Sequence, residues 1–148
     1  MRTLFPGSFD PFTRGHADVV ERALALFDEV LIGVGVNVGK DGWLSAADRV
    51  ERIKALYEGV GRVTVECYEG LTADFAAEKG CGAIVRAVRS VKDYEYELQM
   101  ADVNRRISPG IETVVLFAKP ELACISSSVV RELARFSHRI DDFLPDKL

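Results

Sequence analysis

Cysteine and histidine are scarce in this chain. Cys67, Cys81 and Cys124 are odd in number, widely spaced and never part of a Cys-x-x-Cys pair. That excludes a disulfide framework and a zinc ribbon, and leaves three thiols expected to be buried. The only histidines are His16 and His138, and no acidic cluster has metal-ligand spacing, so no dedicated metal site is expected. Long apolar runs are missing as well. Nothing approaches the roughly 18 residues of a membrane-spanning helix, and Met1-Arg2-Thr3-Leu4 passes straight into a strand pattern rather than a signal-peptide core. The expectation is a cytoplasmic protein with no membrane partner. Positive charge is not in excess either, since 19 Lys and Arg stand against 23 Asp and Glu for a net charge of -4. This balance excludes a general nucleic-acid binder, and any cationic site must be local.

The familiar nucleotide fingerprints are also absent. Gly33, Gly35 and Gly39 have the wrong spacing for G-x-G-x-x-G. Gly39-Lys40 fails as a Walker A loop, because Val34 stands where its first glycine belongs and Asp41 where Ser or Thr should be. If phosphate is bound, another arrangement binds it.

What is present is a regular alternation of short β-branched runs with helical stretches. Strands are predicted near residues 3–5, 30–36, 63–68, 83–85 and 113–117, and helices near 16–27, 46–57, 73–79, 91–106 and 128–136. Strands separated by crossover helices imply an α/β, doubly wound, five-stranded parallel sheet. The runs at 30–36 and 114–117 lack polar alternation, as strands covered on both faces do. With 148 residues, no repeat and no linker, the whole span 1–148 reads as one domain. Ser45 with Asp48 resembles a capping box, and Thr13 and Ser127 are placed to cap their own helices.

The most telling stretch is Pro6-Gly7-Ser8-Phe9-Asp10-Pro11-Phe12-Thr13-Arg14-Gly15-His16, which sets turn-formers, hydroxyls and a histidine between the first strand and the first helix. Free N–H groups and the positive end of the dipole make such a junction an anion site. In an open parallel sheet, ligands bind beyond the carboxyl ends of the strands where the winding reverses. If the first and fourth strands are neighbours there, the loop 8–16 shares that crevice with Arg86-Ala87-Val88-Arg89 after the fourth strand. Ser126-Ser127-Ser128 opens the last helix beside them. Two guanidiniums, several hydroxyls, an imidazole and two helix N-termini form an inventory suited to a polyphosphate. Each piece has a structural reading too. The first segment could be only a turn in which Asp10 bonds its own backbone, and His16 a capping or packed histidine. Arg86 and Arg89 could be mates of Asp93, Glu95 and Glu97, the serines a simple cap, and Lys40 a solvated loop charge. Tyr94-Glu95-Tyr96-Glu97 is read as opening the fourth helix, where carboxylates favour the dipole without any ligand.

Taken together, Gly7-Ser8-Phe9-Asp10-Pro11 with Thr13-Arg14-Gly15-His16 resembles the nucleotidyltransferase superfamily, whose H/T-x-G-H motif follows the first strand. Lys40, Arg86-Ala87-Val88-Arg89, Asp93-Tyr94-Glu95-Tyr96-Glu97 with Gln99, Asn104-Arg105 and Ile125-Ser126-Ser127-Ser128 are similar, in order and spacing, to bacterial phosphopantetheine adenylyltransferases. The resemblance implies a Rossmann-like nucleotidyltransferase fold and transfer of the adenylyl group of ATP to 4'-phosphopantetheine, giving dephospho-coenzyme A and pyrophosphate. It also implies Mg2+ carried by the ATP phosphates and a homohexamer. By position, it implies that Ser8 touches both substrates and His16 the α-phosphate, with Lys40 and Arg89 completing the catalytic set. Phe9, Ala87, Val88, Arg89, Glu97, Leu122, Ala123, Cys124, Ile125, Ser126, Ser127 and Ser128 fall on the ATP side. Lys40, the main chain near Thr72 and Arg86 fall on the phosphopantetheine side, with Asn104 and Glu132 weaker candidates near the pantetheine arm. The chain departs from the family pattern in three places. Ser8 replaces a common threonine, keeping the hydroxyl without its χ1 stiffness. Ala87 replaces a common glycine, so a negative φ is expected there. Phe143-Leu144-Pro145-Asp146-Lys147-Leu148 ends where relatives commonly continue into a further short helix. Two other readings are another small adenylyl- or cytidylyltransferase with a different phosphorylated acceptor, and a nucleotide-binding sensor without turnover.

Overall fold

The computed structural model describes residues 1–37, 39 and 42–146. Five parallel strands, β1 (Arg2–Gly7), β2 (Glu29–Gly35), β3 (Val63–Tyr68), β4 (Ala83–Val88) and β5 (Glu112–Phe117), lie in the order β3-β2-β1-β4-β5. The intervening helices are α1 (Arg14–Leu26), α2 (Ala46–Leu56), α3 (Thr72–Glu78) and α4 (Val91–Ile107), and α5 (Ser127–Arg135) follows the sheet. This is the doubly wound α/β sheet that the alternation of periods implies. Both faces of the central strands are buried, so successive side chains enter different cores. Phe5, Val30, Ile32 and Val34 pack with Val19, Val20, Val50 and Ile53 from α1 and α2. Leu4, Leu31 and Ile84 pack on the other face with Phe75 and Ala76 of α3.

The winding direction reverses between β1 and β4, and there the ladder is short. β1 pairs with β2 over six residues, but with β4 only at Thr3–Ala83 and Leu4–Ile84. Beyond Leu4 the two central strands have no registered partner in each other. The gap is bridged by Arg86, whose Nη1 donates to the carbonyl of Pro6 at 2.8 Å. A crevice therefore opens at the carboxyl end of the sheet, where the topology places ligands.

Several local expectations need correcting. β4 runs three residues further than its apolar core suggests, because its ladder with β5 continues to Val88–Phe117; Arg86, Ala87 and Val88 are strand, and the loop begins at Arg89. The φ of Ala87 is not positive, as expected without glycine. α4 starts at Val91 behind the cap Ser90, so Asp93 occupies the first turn and Glu97 the second. α5 is capped by Ser126, not Ser127, since it is Ser126 that is extended and accepts from the Val129 N–H. Of the thiols only Cys81 is buried; Cys67 lies on the edge strand β3 and Cys124 in the turn before α5, and both are exposed.

Candidate active site

A cavity of about 410 Å³ occupies this crevice. Its walls are the turn after β1, the start of α1, the end of β4 and the start of α5. A smaller cavity of about 90 Å³ lies beside it, lined by Thr72, Met100, Ala101, Asn104 and Thr113. Pro6, Arg86, Tyr96 and Glu97 line both.

His16 sits at the third position of α1, and its role begins as a cap. Thr13, the N-cap, accepts from the His16 N–H, while His16 Nδ1 accepts from the Thr13 N–H at 3.0 Å. This is a capping box with histidine in the place of Glu or Gln. Because Nδ1 is an acceptor, the ring's proton resides on Nε2. The rings of Phe5, Phe9 and Phe12 surround the imidazole at centroid distances of 4.9–6.1 Å. Loss of solvation, with Arg89 and Arg86 adding positive potential, lowers its pKa from 6.5 to about 3. His16 is thus a neutral, orientationally fixed Nε2–H donor at the cavity wall, and unsuited to be a proton carrier near neutral pH.

The carboxylates that line the cavity are already committed. Glu97 is only 5% exposed, and both its oxygens accept from Arg86, at 2.8–3.0 Å. Asp93 accepts from the Arg89 N–H and lies 3.5 Å from its Nε. Asp18 holds Lys119 at 2.7 Å and Arg22 at 3.2 Å. The acidic mates of the structural reading are therefore real, and they aim the cations rather than remove them. Among the described residues no group of three or more His, Cys, Asp or Glu is arranged to hold a metal ion.

The serines divide their labour. Ser126 caps α5, Ser127 Oγ donates to Pro11 O at 2.7 Å and so ties α5 to the first loop, and Ser128 is exposed at the cavity. Arg89 Nη1 donates to Ile125 O at 3.3 Å. Asp10 does not close on its own backbone. It accepts from the N–H groups of Trp43 and Leu44, both at 2.7 Å, stitching the first loop to the segment before α2.

The comparisons with known proteins agree with this geometry. The cytidylyltransferase-like family matches residues 4–133. A Phocaeicola vulgatus protein named phosphopantetheine adenylyltransferase is 50% identical over 98% of this chain and 95% of its own. A Porphyromonas gingivalis protein of the same name is 50% identical, covering 97% of this chain and 93% of its own. The chain belongs to the phosphopantetheine adenylyltransferases. It is accordingly a nucleotidyltransferase enzyme. The fold has a distant solved likeness in a bifunctional NMN adenylyltransferase/ADP ribose pyrophosphatase from Francisella tularensis, with TM-score 0.73 and 16% identity, covering 97% of this chain and 44% of that one. Another structure of that protein, with TM-score 0.70 and 15% identity over the same shares of the two chains, is described as complexed with AMP and Mn ion.

The residues singled out by sequence fall into groups. Ser8, Phe9, His16, Ala87, Arg89, Glu97, Leu122, Ile125, Ser126, Ser127 and Ser128 line the larger cavity. Thr72 and Asn104 line the smaller, and Arg86 lines both. Val88 is buried, and neither it nor Ala123, Cys124 or Glu132 lines either cavity. Phe9 is 2% exposed, and its ring packs against Phe5, Phe12 and His16. Lys40 lies outside the described residues. Sequence reading missed Arg131, Lys119 and Asp18, all of which line the larger cavity. Arg131 is one helical turn beyond Ser127, and that spacing was its available signal. Its Nη1 donates to Asp10 O at 2.6 Å, and among the described residues it forms no ion pair.

Proposed function

We propose that this chain transfers the adenylyl group of ATP to 4'-phosphopantetheine, releasing pyrophosphate and forming dephospho-coenzyme A. The observation that carries the reading is Arg86. It lies in the wall between a large cavity with His16, Arg89 and the α5 N-terminus and a small cavity with Thr72 and Asn104, as a group shared by two phosphate-bearing substrates would.

The acceptor is a phosphate monoester with a second pKa near 6, largely dianionic at neutral pH, so no general base is needed. An acceptor oxygen forms a bond to the α-phosphorus in line with the breaking bond to the β-phosphate oxygen, and pyrophosphate leaves with that electron pair. No covalent enzyme intermediate forms. The obstacle is repulsion between polyanions, and the residues at hand answer it by alignment and charge. His16 Nε2–H donates to an α-phosphoryl oxygen, and Ser8 contacts both substrates. Arg89, the N-terminus of α5 and Ser128 hold the ATP phosphates, while Ala87, Leu122 and Ile125 wall the nucleotide. Arg86, Asn104 and the main chain at Thr72 hold the phosphopantetheine, with Lys40 bridging the two phosphates. Glu97 acts here by holding Arg86. ATP would bring its own divalent ion, Mg2+ in this reading, which would offset phosphate charge; Asp18, Asp93 and Glu97, each already paired, suit that better than a resident metal. The protein works as a single nucleotidyltransferase domain, 1–148, in the cytoplasm. The resemblance points to a homohexamer, for which the exposed Tyr94, Leu98, Val103, Ile107 and Phe117 offer apolar surface. No helix among the described residues is long and apolar enough to cross a membrane.

The test is pyrophosphate release with ATP and magnesium, comparing 4'-phosphopantetheine, other phosphorylated acceptors and no acceptor. Release dependent on 4'-phosphopantetheine, with dephospho-coenzyme A found by mass, is the expected result. Release only with another acceptor would overturn the substrate, and ATP binding without release from any acceptor would overturn the reaction.

A further inference from the structure

Arg49, on the first turns of α2, is 7% exposed, yet among the described residues it has no carboxylate within ion-pair distance. Its guanidinium is spent on backbone: Nη1 donates to Ser8 O at 2.6 Å and to Gly35 O at 3.3 Å, and Nε to Leu44 O at 3.2 Å. Asp10, also 7% exposed, complements it from the other side by accepting from the Trp43 and Leu44 N–H groups. A buried cation and a buried anion thus clamp the turn 8–10 to the segment 42–44. Burying charge on carbonyls is costly, and an apolar residue would fill the same volume more cheaply.

The turn explains the expense. Phe9 has φ +50°, a left-handed conformation that non-glycine residues adopt only when the surroundings over-determine it. The Ser8–Phe9 peptide is trans, so with Ser8 O drawn to Arg49 the Phe9 N–H points the opposite way. Among the described residues that N–H donates to no protein acceptor, and Phe9 lines the larger cavity.

We infer that Arg49 is a positioning residue for adenylyl transfer, which by holding Ser8 O aims the Phe9 N–H and the Ser8 side chain at the reacting phosphates. This rests on the reaction proposed above. The residue touches no substrate; its effect passes through the peptide plane it holds.

The experiment measures kcat, both KM values and melting temperature for the full chain and for Arg49→Lys, Arg49→Met and Gly42→Ala, with active sites counted by ATP titration. Arg49→Lys keeps the charge but cannot hold Ser8 O and Leu44 O together. Gly42 is exposed, and an added Cβ would lie 2.8 Å from both Asp10 Oδ2 and Leu44 O, so Gly42→Ala disturbs the clamp without touching Arg49. Misplacing a reacting group by about 1 Å costs about 10²-fold. Expected, per ATP-binding site, is kcat lowered about 10²-fold in Arg49→Met and about tenfold in Arg49→Lys and Gly42→Ala, with KM values nearly unchanged. Variants that lose melting temperature but keep kcat per site would overturn the positioning role, and Gly42→Ala decides alone if the Arg49 variants do not fold. Absence of 4'-phosphopantetheine-dependent release by the unaltered chain would instead overturn the reaction, and this role with it.

Discussion

His16 performs two tasks with its two nitrogens, and a pair of substitutions separates them. In His16→Ala both are lost. The Thr13 N–H forfeits the acceptor it meets at 3.0 Å, which costs about 1 kcal/mol as half of a capping box. The Nε2–H donor is lost from the transition state, worth about 10² to 10³ in kcat. In His16→Gln the side-chain carbonyl occupies the ordinary capping-box position and again accepts from Thr13, but no donor reaches where Nε2 stood. Urea denaturation and pyrophosphate release, run on the same preparations, give the comparison. The expected outcome is His16→Ala destabilised by about 1 kcal/mol and His16→Gln nearly restored, with turnover in both down about 10² to 10³ and ATP affinity much less affected. If His16→Ala turned over within tenfold of the unaltered enzyme, the transition-state role would be refuted; if His16→Gln were as unstable as His16→Ala, the capping role would be.

Three further outcomes follow from the structure. The pKa of His16 falls from 6.5 to about 3 in the folded protein, so between these values the unfolded chain binds more protons, and the contribution of this group is full above pH 6.5 and lost as pH falls toward 3 at up to about 1.4 kcal/mol per pH unit. Denaturation between pH 4 and pH 7 should show this slope diminished in His16→Gln, and an equal slope in both proteins would contradict the desolvated, neutral imidazole. Glu97→Ala leaves Arg86 without its fork partner at the junction of the cavities. It should cost about 2 kcal/mol of stability and raise the KM for 4'-phosphopantetheine more than that for ATP, whereas a selective rise for ATP would return Glu97 to the nucleotide side. Ser137 has φ +60° just after α5, with its own N–H on Ala134 O and that of His138 on Leu133 O. This is a Schellman turn, where glycine is preferred, so Ser137→Gly should stabilise by about 1 kcal/mol in thermal melts, and a lower melting temperature would refute the assignment.

The order of elements, the parallel sheet and the first loop were legible in the sequence because they depend on local periods and turn residues: an apolar run without alternation at 30–36, a capping threonine at Thr13, and Pro6, Gly7 and Pro11 in the first loop. Element ends were less so. β4 continues through Arg86 only because β5 pairs with it to Phe117, and a ladder partner is not visible in the strand's own residues. The choice of Ser126 over Ser127 as cap was likewise settled by where the chain bends, with Ser127 turned to Pro11 across 116 residues.

The site shows the same division more sharply. The residues that form it were readable as types: an imidazole, two arginines and hydroxyls at the ends of strands. What each does was decided in three dimensions. Glu97 and Arg86 lie on different elements, and only the sheet brings them together as a bidentate pair; Arg131, Asp18 and Lys119 join the cavity because α5, α1 and the segment after β5 converge there. Arg49 carried no signal in the sequence, since an arginine beside Val50 on an amphipathic helix reads as solvated charge until the turn at Ser8 is folded against it. Periodicity thus determined the architecture and the chemical inventory of this protein from the chain alone, because hydrophobic burial and turn chemistry act over a few residues. Protonation state, charge pairing and the aim of each donor were left to the tertiary structure, because they depend on groups that burial and through-space electrostatics bring together from distant parts of the chain.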